Sequence, residues 1–150
     1  MARFEITHVD DLDWHEVKAQ RHGERRVSVW ERFLELRPER TVIYARYDPG
    51  VVVERHGHRS DHLVFVLEGL VTIGDRPCPA GTHVLLEEGA EFGPLIAGPD
   101  GAVLYEVMMG DPRAVPADKA AFAALLAERG IEALPNPPLD LPDWLGERRD

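Results

Sequence analysis

Gly50-Val-Val-Val-Glu-Arg-His56-Gly-His58-Arg-Ser-Asp-His62-Leu-Val-Phe-Val-Leu-Glu68-Gly69 places three histidines within seven residues, flanks them with strand-forming runs and closes both ends with glycine. On a strand, residues two apart share a face, about 7 Å apart along the chain. His56 and His58 would then present two imidazoles side by side, and the Val51-Val-Val lead-in favours a strand over a helix, which would throw them to different faces. Arg59-Ser-Asp61 reads as a tight connection. A reversal there puts His62 at the start of an antiparallel partner, facing the first pair across a hairpin. Three neutral imidazoles converging from adjacent strands can hold a divalent transition metal, since imidazole suits zinc, copper, iron and nickel. The competing reading is three solvated polar residues at a hairpin end.

Working outward, the neighbouring segments are also β in character. Val27 to Leu36 and Thr41 to Tyr47 are rich in branched and aromatic residues and are separated by a break at Pro38. Asp48-Pro49-Gly50 is a turn, Leu63 to Leu67 and Leu70 to Ile73 are strands on either side of Gly69, and Gly74-Asp75 turns the chain again. Thr82 to Leu86 and Phe92 to Ala97 follow as strands, Gly98-Pro-Asp-Gly101 as a turn, and Ala102 to Met109 as the last strand. Short strands at this regular spacing define an antiparallel sandwich or barrel. Upstream, Arg3 to Val9 alternates weakly as an opening strand, Trp14 to Lys18 is a short extended piece, and Gln20 to Arg26 is a charged loop. His8, His15 and His22 stand isolated and read as surface histidines.

Downstream of Gly110-Asp-Pro the character changes. Asp118 to Arg129 is rich in helix formers and is followed by Gly130, so a helix is expected, with Phe122, Leu125, Leu126 and Arg129 at helical spacing along one apolar stripe. Pro135, Pro137, Pro138 and Pro142 make the remainder an extended arm, whose leucines and Trp144 must be buried on the barrel or on a partner subunit. Residues 1–112 thus form one β domain with N-terminal strands, and 113–150 a helix and an extended arm.

A chain of 150 residues with 44% hydrophobic content buries one core. Its formal charge of −10, with no basic patch, argues against nucleic acid and anionic lipid as partners. The single cysteine, Cys78, lies between two prolines and makes no internal disulfide. With no apolar leader or membrane-length run, a cytoplasmic protein is the expectation.

The spacing Gly50-x5-His56-x-His58-x3-His62-x6-Gly69 resembles the first motif of the cupin superfamily, G-x5-H-x-H-x3-4-E-x6-G, with His62 in the glutamate position. The resemblance covers about Thr41 to Met109. It implies an all-β fold, an antiparallel β-barrel of the double-stranded β-helix or jelly-roll type, with a metal held inside one end. The second cupin motif, G-x5-P-x-G-x2-H-x3-N, aligns with Gly81, Glu87, Gly89, Phe92 and Ile96. Both glycines are kept, while the proline, the histidine ligand and the asparagine are absent. A metal would therefore rest on His56, His58 and His62 alone, with Phe92 as an apolar cavity wall. His83 is a candidate additional ligand, or an ordinary edge histidine. Glu87, Glu88 and Glu91 crowd the next turn; Glu87 and Glu91 are candidate acid/base groups, or a solvated loop. Asp61 and Glu54 are candidate carboxylate partners for a ligating imidazole. Trp30, Tyr44, Tyr47, Phe65 and Tyr105 are candidate cavity aromatics, or plain barrel core.

With iron, such a centre favours dioxygenase-type oxidation of a small organic chelator such as a diketone, catechol-like ring or thiol acid. With zinc, nickel or manganese it favours Lewis-acid isomerase, lyase or hydrolytic chemistry. The alternatives are a non-catalytic cupin that binds or senses a small molecule or metal, and a metal-free barrel. A homodimer is expected from the resemblance and from the arm.

Overall fold

A computed structural model describes residues 1–145. In chain order it contains β1 (His15–His22), β2 (Arg25–Arg37), β3 (Arg40–Tyr47), β4 (Val52–Val53), β5 (His56–Gly57), β6 (His62–Ile73), β7 (Arg76–Pro79), β8 (His83–Leu86), β9 (Glu91–Phe92), β10 (Leu95–Met108), β11 (Val115–Pro116), helix α1 (Lys119–Glu128) and β12 (Ile131–Ala133). The large sheet runs β12-β1-β2-β3-β10-β6-β7, with β4 also on β10 and β8 also on β6. A second sheet, β11-β5-β9, holds the histidine segment. The pairs within both are antiparallel, as expected for a cupin barrel.

Strand alternation decides what faces the interior. Val64 and Val66 of β6 are buried while Phe65 and Leu67 are exposed; on β10, Leu104, Glu106 and Met108 point inward and Tyr105 outward. Val27, Val29, Ile43, Ala45 and Leu95 complete the core around them. Each fully buried valine or leucine contributes about 1.5–3 kcal/mol of transfer free energy.

Three segments differ from the sequence expectation. Arg3 to Val9 forms no strand: it pairs with none among the described residues, leaves Phe4 and Ile6 exposed, and ends in a 3-10 turn at Val9–Asp11. The charged stretch Gln20 to Arg26 is the β1–β2 hairpin, because Gly23 takes a positive φ of 64° at its tip. Gln20 is buried there, its side-chain amide donating to the Val52 carbonyl and accepting from the Val52 N–H, each at 2.9 Å. Gly98 to Gly101 does not end a strand. It lies within β10 as an irregularity, the register against β6 shifting between Ala97 and Ala102. Gly69 lies opposite on an unbroken β6 at φ 75°, where a Cβ would run into the Gly101 carbonyl oxygen. The two glycines let both long strands bend around the barrel.

Past residue 112 the chain rejoins the barrel. β11 pairs β5 and β12 pairs β1. The Asp118 carboxylate caps α1 by accepting from the Ala121 N–H at 2.9 Å, and Gly130 beyond it has φ 66°. Leu126 is the buried member of the predicted stripe, with Phe122 and Leu125 half-buried. The arm folds onto its own barrel: Leu139, Leu141 and Leu145 line the interior cavity, and Trp144 stays partly exposed. Residues 146–150, which end the predicted arm, lie outside the described residues.

Candidate metal centre

β5 and β6 are not hydrogen-bonded neighbours, so His62 does not face His56 and His58 across a hairpin. The chain from Gly57 to Asp61 instead carries it from the small sheet to the large one. The three imidazoles still meet, as a cluster bridging the two sheets. The His56 and His58 ring centroids are 5.1 Å apart and those of His58 and His62 are 4.6 Å apart. All three side chains are buried, His62 to 1% exposure.

Each imidazole commits one nitrogen to a partner that only accepts. His56 Nδ1 donates to the Glu54 carbonyl at 2.7 Å, and His58 Nδ1 to the Arg113 carbonyl at 3.1 Å. His62 Nε2 donates to the Glu106 carboxylate at 3.1 Å. The tautomers follow from these partners. One nitrogen is thereby left over on each ring. His58 Nε2 and His62 Nδ1 are buried with no hydrogen-bond partner among the described residues, a costly arrangement unless something is bound there. Burial holds the His58 pKa down to about 3, helped by the neighbouring imidazoles, and burial lowers that of His56 against the opposing pull of the Glu54 carbonyl and Glu106. Both rings are the neutral form a metal requires.

Glu106 was not singled out from sequence. It sits on β10 at 6% exposure, between the core residues Leu104 and Met108. Burial alone would push its carboxyl up, but the His62 hydrogen bond and the electrostatic pull of the neighbouring histidines, His62 first, outweigh that and hold it below the usual range. The available signal was its parity: a lone acid at an inward position of an apolar strand.

The structure distributes the other candidates differently. Phe92 pairs with His56 across β5 and β9, and its ring lies 5.0 Å from that of His56 and 5.6 Å from that of His62. Glu91, one residue earlier, takes the opposite face and is exposed, as are Glu87 and His83. None of these three lines the cavity, and neither does Phe92, expected as its wall: its ring packs against His56 and His62 instead. The Asp61 carboxylate accepts from the Glu88 N–H at 2.9 Å, tying down that acidic turn, and the Glu54 carboxylate pairs with Lys18 at 3.6 Å. Among the candidate aromatics, Tyr47 lines the cavity. Trp30 packs with Arg46 on the outer face, where Arg46 also covers Trp14, and Phe65 and Tyr105 are exposed.

Above the cluster lies a cavity of about 190 Å³ reached by His56, His58 and Glu106, with Val29, Phe33, Leu36 and Ile43 among its apolar walls. The donor set fits a divalent transition metal in type: imidazole nitrogens left over by accept-only partners, and a carboxylate orienting one ring. The atoms are not yet gathered, since no three His, Cys, Asp or Glu side chains among the described residues stand at positions to hold an ion. The backbone fixes which rings are neighbours and side-chain rotation alters only where each lone pair points, so the ring spacing and the two orphaned nitrogens are compatible with a shared ion.

These features define a cupin barrel with a histidine cluster inside one end. Residues 3–109 match the family described as the ChrR cupin-like domain, and the chain belongs to that family. Solved structures share the fold. A candidate acetylacetone dioxygenase from Methylibium petroleiphilum PM1 is 13% identical with a TM-score of 0.64, over 80% of this chain and 85% of that one. The polyketide cyclase RemF from Streptomyces resistomycificus is 17% identical with a TM-score of 0.59, over 77% and 87%. A chain from the complex of Rhodobacter sphaeroides SigE with the anti-sigma ChrR is 20% identical with a TM-score of 0.53; the match covers 67% of this chain and 51% of that one. No curated protein matches the sequence.

Proposed function

We propose that this protein is a metal-dependent cupin that takes a small organic molecule into the barrel cavity, with dioxygenase-type oxidation as its reaction. The observation that carries the reading is the set of accept-only partners on His56, His58 and His62, which leaves a ring nitrogen on each and strands two of them in the interior without partners among the described residues. His56, His58 and His62 would hold the metal. When bound, iron with open positions supplies dioxygen activation, and zinc, nickel or manganese would supply Lewis-acid isomerase or lyase chemistry. Glu106 keeps the His62 Nε2 proton in place and so aims Nδ1. Phe92 closes the side of the cluster where the family motif has a fourth ligand, and the leucine and valine walls exclude water around the substrate. The fold likeness to a candidate acetylacetone dioxygenase supports a diketone-like substrate class. Dioxygen uptake by the iron-loaded, untagged protein on a panel of diketones and catechols tests the reading; metal bound with no uptake on any member counts against catalysis.

The second reading is a non-catalytic cupin that binds or senses a small molecule or metal. It is favoured by Phe92 in the fourth-ligand position and by the likeness to a chain from an anti-sigma complex. We further propose a cytoplasmic homodimer. Support for the dimer is the exposed outer sheet face of Phe65, Leu67, Leu85 and Tyr105. Sedimentation at micromolar concentration showing monomer alone would remove it.

A further inference from the structure

We infer that the C-terminal arm is the ligand-selecting wall of the site: Leu139, Leu141 and Leu145, latched by Arg113, admit an uncharged molecule with an apolar body of about one ring. This rests on the reading that His56 and His58 face a ligand in the cavity.

The arm contributes three of the cavity's apolar side chains, joining Phe33 and Leu36 of β2. The volume of about 190 Å³ sets the scale of the occupant, since an apolar cavity of roughly 150 Å³ takes up benzene. Charge sets its character. The cavity is lined by the carboxylates Glu31, Glu54 and Glu106, while its two cations are already paired, Lys18 with Glu54 at 3.6 Å and Arg113 with Asp111. Carboxylates outnumber cations in that lining, three to two, so an anion entering there would meet a surplus of like charge and would have to break an existing ion pair to reach a cation.

The prolines at 135, 137, 138 and 142 keep the arm extended rather than helical. It is anchored near one end by the Leu134 N–H donating to the Ala19 carbonyl at 3.1 Å. At the other end Arg113 Nη1 donates to the Leu145 carbonyl at 2.7 Å while its remaining nitrogens hold Asp111. The backbone carbonyl of the same arginine accepts from His58 Nδ1 at 3.1 Å. Arg113 is thus a positioning residue with two outputs. Its guanidinium sets where the leucine wall stands, and its carbonyl sets how the His58 ring is turned.

The test uses the full chain, metal-free and metal-loaded, titrated calorimetrically with phenol, 4-ethylphenol, 4-butylphenol and benzoate. The wild type is expected to bind phenol and 4-ethylphenol and to hold 4-butylphenol and benzoate at least tenfold more weakly. A Leu139→Ala/Leu141→Ala double variant should shift the phenol-to-butylphenol preference by tenfold or more towards the larger probe. Arg113→Gln keeps the carbonyl but loses the guanidinium pairing with Asp111 that holds the backbone at 113, so it should relax the same preference and also move the ring nitrogen resonances of His58, which a merely structural role in the arm would leave in place. Variants that keep native circular dichroism and the wild-type order of preference overturn the inference. Metal loading without phenol binding in the wild type also overturns it, and leaves the metal reading standing. Size selection in a protein that takes up no metal supports the arm's role while removing the metal reading.

Discussion

Lowering the pH from 7.5 to 5 should destabilise the metal-free protein through His58. The ring is held neutral in the fold down to about pH 3, whereas in the unfolded chain it titrates near the ordinary imidazole value of 6.5. Between those two values the unfolded state binds a proton that the folded state does not, so stability falls as the pH drops below 6.5 and the loss levels off below about 3. Each pH unit in that window amounts to about 1.4 kcal/mol. Over the roughly 1.5 units down to pH 5 the loss from this ring is about 2 kcal/mol, which for a chain of this size lowers the melting temperature by about 4–8 °C. His56 is shifted in the same direction and adds to the loss. Glu106, the facing carboxylate, does not offset it: its folded pKa is lowered, so its contribution is present above the unfolded value of 4.5 and is lost only as the pH falls below that. The assay is chemical denaturation at closely spaced pH values for the wild type and for His58→Gln, which keeps a polar side chain but has no titration. The variant's profile should be shallower by about 2 kcal/mol across this range. Parallel profiles for the two proteins would refute the assignment of a buried, neutral His58.

Phe92→His should raise metal affinity by tenfold or more, since Phe92 pairs with His56 and packs on both His56 and His62; competition against a chelator measures it, and unchanged affinity would mean that position 92 does not reach the bound ion. Glu106→Gln keeps the shape and an acceptor oxygen but loses the charge on His62, so metal affinity should fall by roughly 10- to 100-fold with little change in fold. The same chelator competition decides that case, and an unaltered constant would leave Glu106 without a part in the centre.

The barrel was legible because its signals are local. Glycine spacing from Gly50 to Gly69, alternation along β3, β6 and β10, and the composition of α1 each specify structure within a few residues. Where sequence reading failed, a longer-range pairing decided the outcome. Gly98 to Gly101 has turn chemistry, yet β10 continues through it because β6 opposite supplies Gly69 to make room. Arg3 to Val9 alternates like a strand but finds no edge to pair with among the described residues. The site shows the same division. His56, His58 and His62 came from one motif, whereas Glu106 lies 44 residues beyond His62 in sequence and is brought to it by strand pairing. The carboxylates judged nearest by sequence, Glu54 and Asp61, turn to Lys18 and to the Glu88 amide instead. Strand parity separated Phe92 from Glu91, a distinction that the sequence left open until the register of β9 against β5 was known.

The most direct test of the central claim is elemental analysis of the untagged protein after exchange against iron, zinc, nickel and manganese, run beside His58→Ala. The account predicts close to one equivalent of a divalent transition metal in the wild type and a large loss in the variant, with a metal-dependent rise in melting temperature seen only in the wild type. Less than about a tenth of an equivalent of every metal in the wild type, or equal loading of both proteins, would contradict it.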